Sequence, residues 1–206
     1  SEEPTGSGVK PEQLSRVREV IREEDPYHPV SVVFMRPGRA REYVDGLDVV
    51  MVDPYPIPVR PPASAGDAVS RAARDLAPDK AVWMVPQCFG GNEHWAREPT
   101  DREMRVMGYL GIIEGARGLQ YFIRHGLQGF PKSPTLWAEC SRMALELSQL
   151  VPYLASHEAG PSVAISPETV RVGAWRDRGR VLVIAVNTVN QPQPLELRFG
   201  GVFPSG

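Results

Sequence analysis

Acids, amides and aromatic rings gather at four points along this 206-residue chain. Glu2 and Glu3 precede Pro4. Asp53 and Tyr55 interleave with Pro54 and Pro56. Gln87 is followed by Asn92, Glu93, His94 and Trp95, and Gln120 stands beside Tyr121. Ring faces suit the apolar C–H face of a pyranose, while carboxylates and amides suit its hydroxyls. Cleaving a glycosidic bond requires two carboxyl groups across it, one protonated and one ionised. Glu3 and Asp53 supply that pair if the fold brings them to one cleft. Glu2, Tyr55, Gln87, Asn92, His94, Trp95 and Tyr121 are the candidate substrate-binding groups. Plainer roles stand beside these. Two acids ahead of a helix are unremarkable, and Asp53 before proline fits a turn residue that accepts backbone N–H groups. Trp95 and His94 fit loop packing, and Tyr121 on an apolar strand fits a core position.

The elements that must position these groups centre on Leu47–Pro58. Val49–Val52 is a continuous apolar run that stops at Asp53, as expected of a strand buried on both faces. Pro54 and Pro56 cannot continue a ladder, so an acid is placed where the strand emerges. Strands are also expected over Val30–Met35, Ala81–Val85 and Leu119–Ile123. Pro11 opens a helix with Leu14, Val17, Val20 and Ile21 on its apolar face. Further helices are expected over Asp67–Leu76 (Val69, Ala72, Ala73 and Leu76 inward), from the capping box Thr100-Asp101-Arg102-Glu103 to about Glu114, and from Ser133-Pro134 to Leu154. The last carries Leu136, Cys140, Met143, Leu147, Val151 and Leu154 in one stripe. Strands alternating with helices predict a parallel sheet, and in a barrel of such strands the chemistry sits at the carboxyl-end rim. Beyond a boundary near Ala155–Pro161 the pattern changes. Short strands over Ser162–Ile165, Thr169–Ala174, Arg180–Asn187 and Pro194–Phe199 predict an antiparallel β-sandwich segment.

Glu3-Pro4 resembles the acid-proline element ending strand four of TIM-barrel glycoside hydrolases, in many of which that glutamate is the general acid/base. DPYHPV, VDPYPIP and the run from WMVPQCFGGNEHW to GLQYF resemble strands five to eight of the same barrels, and the tail resembles the β-sandwich that often follows them. The resemblance implies an α/β chain: the C-terminal half of a (β/α)8 TIM barrel over residues 1–157, then a partial β-sandwich over 158–206. It implies a glycosidase with Glu3 as the acid, its pKa raised by burial or a neighbouring like charge. One departure follows. In the largest clan of these enzymes the nucleophile is a glutamate ending strand seven, where this chain has Gln87, and an amide cannot form a glycosyl ester. Asp53 is then the second carboxylate, or Glu2 and Glu3 act as the acid pair of a substrate-assisted hexosaminidase. A non-catalytic carbohydrate-binding or interaction module on a degenerate barrel is the alternative. The implied partners are a carbohydrate and the N-terminal half of the barrel, in the same or a companion chain. A fragment of this kind is expected to be inactive alone.

Lys and Arg number 23 against 25 Asp and Glu, a balance that favours neither nucleic acid nor an anionic membrane surface. No apolar run approaches the roughly 20 residues of a membrane span. A glycosidase of this kind would favour a secreted, lysosomal or periplasmic location. No metal or cofactor is called for: His125 and His157 have no partner at ligand spacing, and Cys88 and Cys140 lack metal-ligand spacing. Two unpaired, mostly buried thiols are the expectation for the cysteines.

Overall fold

The computed structural model describes residues 3–91, 94–122 and 133–200. The chain enters through a single turn, α1 (Pro4–Ser7), and a longer helix, α2 (Pro11–Glu24). Then follow β1 (Ser31–Phe34), a 3-10 helix over Pro37–Gly46, β2 (Val49–Val52), α3 (Ala63–Leu76), β3 (Ala81–Met84), α4 (Asp101–Ile113), β4 (Gly118–Leu119) and α5 (Pro134–Leu154). The four strands form one parallel sheet in chain order, β1-β2-β3-β4. Consecutive parallel strands need a crossover between them. Here the 3-10 helix, α3 and α4 provide it.

Strand periodicity assigns the two faces of this sheet. Val32, Phe34, Val50, Val52, Val82 and Met84 face the helices and are fully buried with Leu47, Val69, Ala72 and Leu76. Val33, Met51 and Trp83 stand side by side on the opposite face. There they join Val49, Ala81, Val85, Tyr55 and Phe122 in a separate apolar cluster that contains no helical residue. Among the described residues the helices thus cover one side only.

The capping box forms as expected: the Thr100 hydroxyl accepts the Glu103 N–H (3.2 Å) and the Glu103 carboxylate accepts the Thr100 N–H (2.8 Å). Gly115, at φ 109°, ends the turn after α4 where a side chain would be strained. The expected inward face of α2 is only partly so. Leu14 is buried where Gly46 lets it approach (2.7 Å from where a Cβ would stand), but Val17 and Val20 are more than half exposed. The main packing partner of α2 is the 3-10 helix, and that contact leaves these two open. The last parallel strand is two residues long rather than Leu119–Ile123, and position 123 lies outside the described residues.

Four antiparallel strands follow: β5 (Ser162–Ser166), β6 (Val170–Asp177), β7 (Arg180–Asn187) and β8 (Glu196–Gly200). β6 and β7 form a hairpin closed at Asp177↔Arg180 by Arg178 and Gly179, both at positive φ (48° and 75°). That combination matches the twist of the flanking strands. β5 pairs with β8 in a second two-stranded sheet. Trp175, Ile184 and Val186 pack against the α4–α5 core, and the Arg171 guanidinium reaches Glu114, the C-cap of α4, and Asp67 of α3, each at 2.5 Å. Among the described residues no helix is long and apolar enough to cross a membrane.

Candidate active site

Glu3 and Asp53 leave the sheet at the same end. Phe34 of β1 stands opposite Val52 of β2, so Met35 and Asp53 are the next positions along the two strands. The Glu3 N–H donates to the Val33 carbonyl (3.1 Å) and its carboxylate accepts the Met35 N–H (2.5 Å). Glu3 therefore runs beside the carboxyl end of β1 without being part of a strand. Its backbone is left-handed, at φ 51° and ψ 58°. This conformation costs a non-glycine residue about 1–3 kcal/mol and recurs at sites where geometry is held for function.

Asp53 is 8 % exposed and lines a cavity of about 290 Å³ together with Met35, Tyr55, Arg60, Arg71 and Trp95. That volume lies at the small end of ligand pockets. Tyr55 is the centre of a ring cluster. It meets Phe89 edge-on at 4.8 Å, Trp95 edge-on at 5.7 Å and Phe122 at 6.2 Å. Phe89 also meets Trp95 (5.1 Å) and Phe122 (5.6 Å). The Trp95 indole N–H donates to the Tyr55 carbonyl (3.2 Å). The segments that follow β2, β3 and β4 are thereby fastened together at the rim, each ring pair adding about 0.5–1.5 kcal/mol beyond its burial.

The loop after β3 is folded back on itself. The Gly91 N–H donates to the Trp95 carbonyl (2.7 Å), and the Arg97 backbone crosses Gly90 so closely that a Cβ there would collide with it. Arg97 then makes two hydrogen bonds to Glu103 (2.7 and 2.9 Å). The guanidinium holds the Glu103 carboxyl below its ordinary range against the opposing effect of burial.

Gln87, named above among the candidate substrate-binding groups, is committed elsewhere. It is fully buried: Oε1 accepts the Ile57 N–H (2.9 Å), and Nε2 donates to the carbonyls of Ile57 (3.0 Å) and Phe89 (3.1 Å). Both amide hydrogens are used on backbone, so the side chain clamps two rim loops instead of presenting itself to a ligand. Tyr121 also departs from a ligand role. Its hydroxyl donates to the Met143 sulfur (3.8 Å), and burial first, then the neighbouring Cys140 and Cys88, push its phenol up. Strand alternation explains this. Leu119 faces the helices with Met84, so Tyr121 does too, and Phe122 points to the ring cluster. His94 is exposed with its ring against Trp95 (5.8 Å). Glu2, Asn92 and Glu93 lie outside the described residues. Phe89, Phe122, Arg60 and Arg71 were not singled out from sequence. Phe122 shares the parity of Gly118, opposite to that of Leu119 and Tyr121; no local signal marks the two arginines.

No protein-family model matches the chain, and no curated protein matches its sequence. Solved structures do match in fold. A polyextremophilic beta-galactosidase from the Antarctic haloarchaeon Halorubrum lacusprofundi is 20 % identical over 73 % of this chain and 27 % of its own (TM-score 0.57). The beta-galactosidase of Bacillus circulans sp. alkalophilus is 19 % identical over 68 % and 23 % (TM-score 0.55). That of the psychrophilic Marinomonas ef1 is 14 % identical over 68 % and 26 % (TM-score 0.53). The chain has a mixed α/β, glycoside-hydrolase-like fold and spans about a quarter of the length of these enzymes.

Proposed function

We propose that the chain is part of a glycoside hydrolase acting on O-glycosidic bonds, with Glu3 as general acid/base and Asp53 as the second carboxylate. The observation that carries this reading is the parallel register. Glu3 is bonded to Met35 and Asp53 follows Val52, so both acids stand one step beyond the Phe34–Val52 pair at one sheet end. Tyr55 and Trp95, the rings that line the cavity beside Asp53, suit the apolar face of a pyranose. Residues 1–157 are read as the second half of a (β/α)8 barrel and 158–206 as the start of a β-sandwich. The apolar sheet face with no helix over it and the exposed Val17 and Val20 favour that reading, since the remaining strands and helices of a barrel would cover both. The matched beta-galactosidases make a β-linked galactoside the first substrate to try.

The test supplies the chain with the rest of the barrel and assays an aryl β-galactoside. Glu3→Gln and Asp53→Asn should each lower turnover about 10²–10⁴-fold while sugar binding survives. Unchanged turnover in either variant removes that residue from its role. A second reading is a carbohydrate-binding module without catalysis, favoured by Gln87, whose buried amide occupies the end of β3 and leaves no carboxylate there. Oligosaccharide binding with no hydrolysis, indifferent to Glu3→Gln, would select it.

A further inference from the structure

Cys88 and Cys140 are the chain's two cysteines, separated by 52 positions, yet their sulfurs stand 3.6 Å apart. Both are free thiols, as expected, Cys88 buried and Cys140 partly so, but nothing in their spacing says that they meet. Cys88 opens the loop after β3 and Cys140 lies in the second turn of α5. Met104 of α4 adds its thioether at 3.5 Å from Cys88 and 3.6 Å from Cys140, so the three sulfurs form a nearly equilateral triangle. Access to the two thiols is unequal. Cys88 is fully buried, whereas Cys140 is partly open to solvent. A hydrogen bond from the Cys88 thiol lowers the pKa of Cys140, and the same bond together with burial raises that of Cys88. A thiolate is the nucleophile of disulfide exchange. The sulfur of the partly exposed residue, its pKa lowered, is therefore backed at 3.6 Å by that of the buried one, whose pKa is raised.

We propose that Cys88 and Cys140 form a two-thiol modification site for low-molecular-weight disulfides such as oxidised glutathione, with Cys140 as the entry sulfur and Cys88 as the resolving sulfur. In the first step the Cys140 thiolate attacks one sulfur of the disulfide. The glutathione S–S bond breaks, one glutathione thiolate leaves, and a mixed disulfide forms on Cys140. In the second step Cys88 gives up its proton to that thiolate or to water and attacks the Cys140 sulfur. The mixed disulfide breaks and the second glutathione departs. Two protein thiols are oxidised and one glutathione disulfide is reduced to two thiols, so atoms and electrons balance. The two sulfurs must close from 3.6 Å to about 2.05 Å. The bond then ties the loop that carries Phe89 and Trp95 to α5.

The experiment incubates the chain with oxidised glutathione in native buffer and, in parallel, in concentrated urea, quenches with iodoacetamide and maps the peptides without reduction. A Cys88–Cys140 linked peptide is expected, forming at least about tenfold faster in native buffer, because folding holds the two sulfurs at high effective concentration. Cys88→Ala should accumulate one glutathione on Cys140, and Cys140→Ala should stay unmodified. Equal rates in buffer and urea would overturn the proposal, as would cross-linked dimers in place of the internal bond, or glutathione on Cys88 when Cys140 is replaced. Because the wild-type map and its urea control decide the matter alone, a variant that fails to fold leaves the proposal testable.

Discussion

The Gln87 amide bonds both the N–H and the C=O of Ile57, at 2.9 and 3.0 Å, so one side chain serves as the ladder partner of one residue. The need arises in the loop itself. Pro54, Pro56 and Pro58 lack donors, and Ile57 between them is almost wholly buried with no strand beside it. Gln87→Ala would leave the Ile57 N–H and C=O and the Phe89 C=O without partners, at a cost of about 2–3 kcal/mol. Gln87→Glu keeps the shape but turns two donated bonds into a carboxylate facing two carbonyl oxygens. Burial and those oxygens would raise that acid's pKa in the folded state above its unfolded value of about 4.3. The variant should therefore be least destabilised near pH 4 and lose stability as pH rises through the folded pKa. Urea unfolding at acid and neutral pH would show this slope; a pH-independent loss would contradict it.

Gly90 is the position where the rim loop has least freedom. The Arg97–Glu98 backbone passes where a Cβ would stand, and backbone cannot rotate away as a side chain can. Gly90→Ala should push residues 88–98 outward, separating Phe89 and Trp95 from Tyr55, at a cost of about 1–3 kcal/mol. The near-ultraviolet circular dichroism of the ring cluster would fall while the far-ultraviolet signal stays. An unaltered near-ultraviolet spectrum would mean the loop accommodates the methyl.

The sequence marked the sheet well because its signals are local. VVMV ending at an acid and a run of prolines admits little but a buried strand with Asp53 at its exit, and Thr100 with Glu103 forms the capping box that its spacing implies. What escaped was whatever depends on the partner of a side chain. Nothing near Gln87 says that its amide will be used up by a loop 30 positions earlier. The stripe of α2 has helical spacing, but spacing cannot say whether another element lies across Val17 and Val20. Tyr121 and Phe122 are adjacent rings just beyond a strand of two residues, and ring type alone does not say which of them faces the helices. Cys88 and Cys140 meet only through the packing of α5 on α4.

Asp48 closes the opposite end of β2. Its carboxylate accepts Arg18 (2.5 Å), Arg22 (3.1 Å) and the Val30 N–H (2.9 Å). Burial works against the charge, but the Arg18 hydrogen bond and the Val30 amide outweigh it, and the pKa lies below the ordinary value. A depressed carboxylate pKa contributes stability that is present above the unfolded value, about pH 3.9, and is lost as pH falls through the folded value. Asp48→Asn should cost about 1–3 kcal/mol at neutral pH. The gap to wild type should narrow as pH falls below the unfolded value and through the lower folded one, where the wild-type acid itself takes up its proton. Denaturant titrations across that range would reveal the convergence; a constant gap would assign the loss to geometry alone.

Arg171 has a comparable office between the two parts of the chain. From β6 its fork reaches Glu114 at the end of α4 and Asp67 within α3, and a planar guanidinium can serve both where an ammonium point charge cannot. Asp67 is half exposed, while Glu114 is far more enclosed, so most of the coupling should reside in the Glu114 bond. Arg171→Lys should recover less than half of what Arg171→Leu loses, a total of about 1 kcal/mol at low salt that shrinks as ionic strength rises. The more telling readout is local. Amide exchange in the β6–β7 hairpin should quicken in both variants while the β1–β3 amides keep their protection, since the tail can loosen from α3 and α4 without opening the parallel sheet. Uniform acceleration across both regions would instead mean that sheet and tail unfold as one cooperative unit.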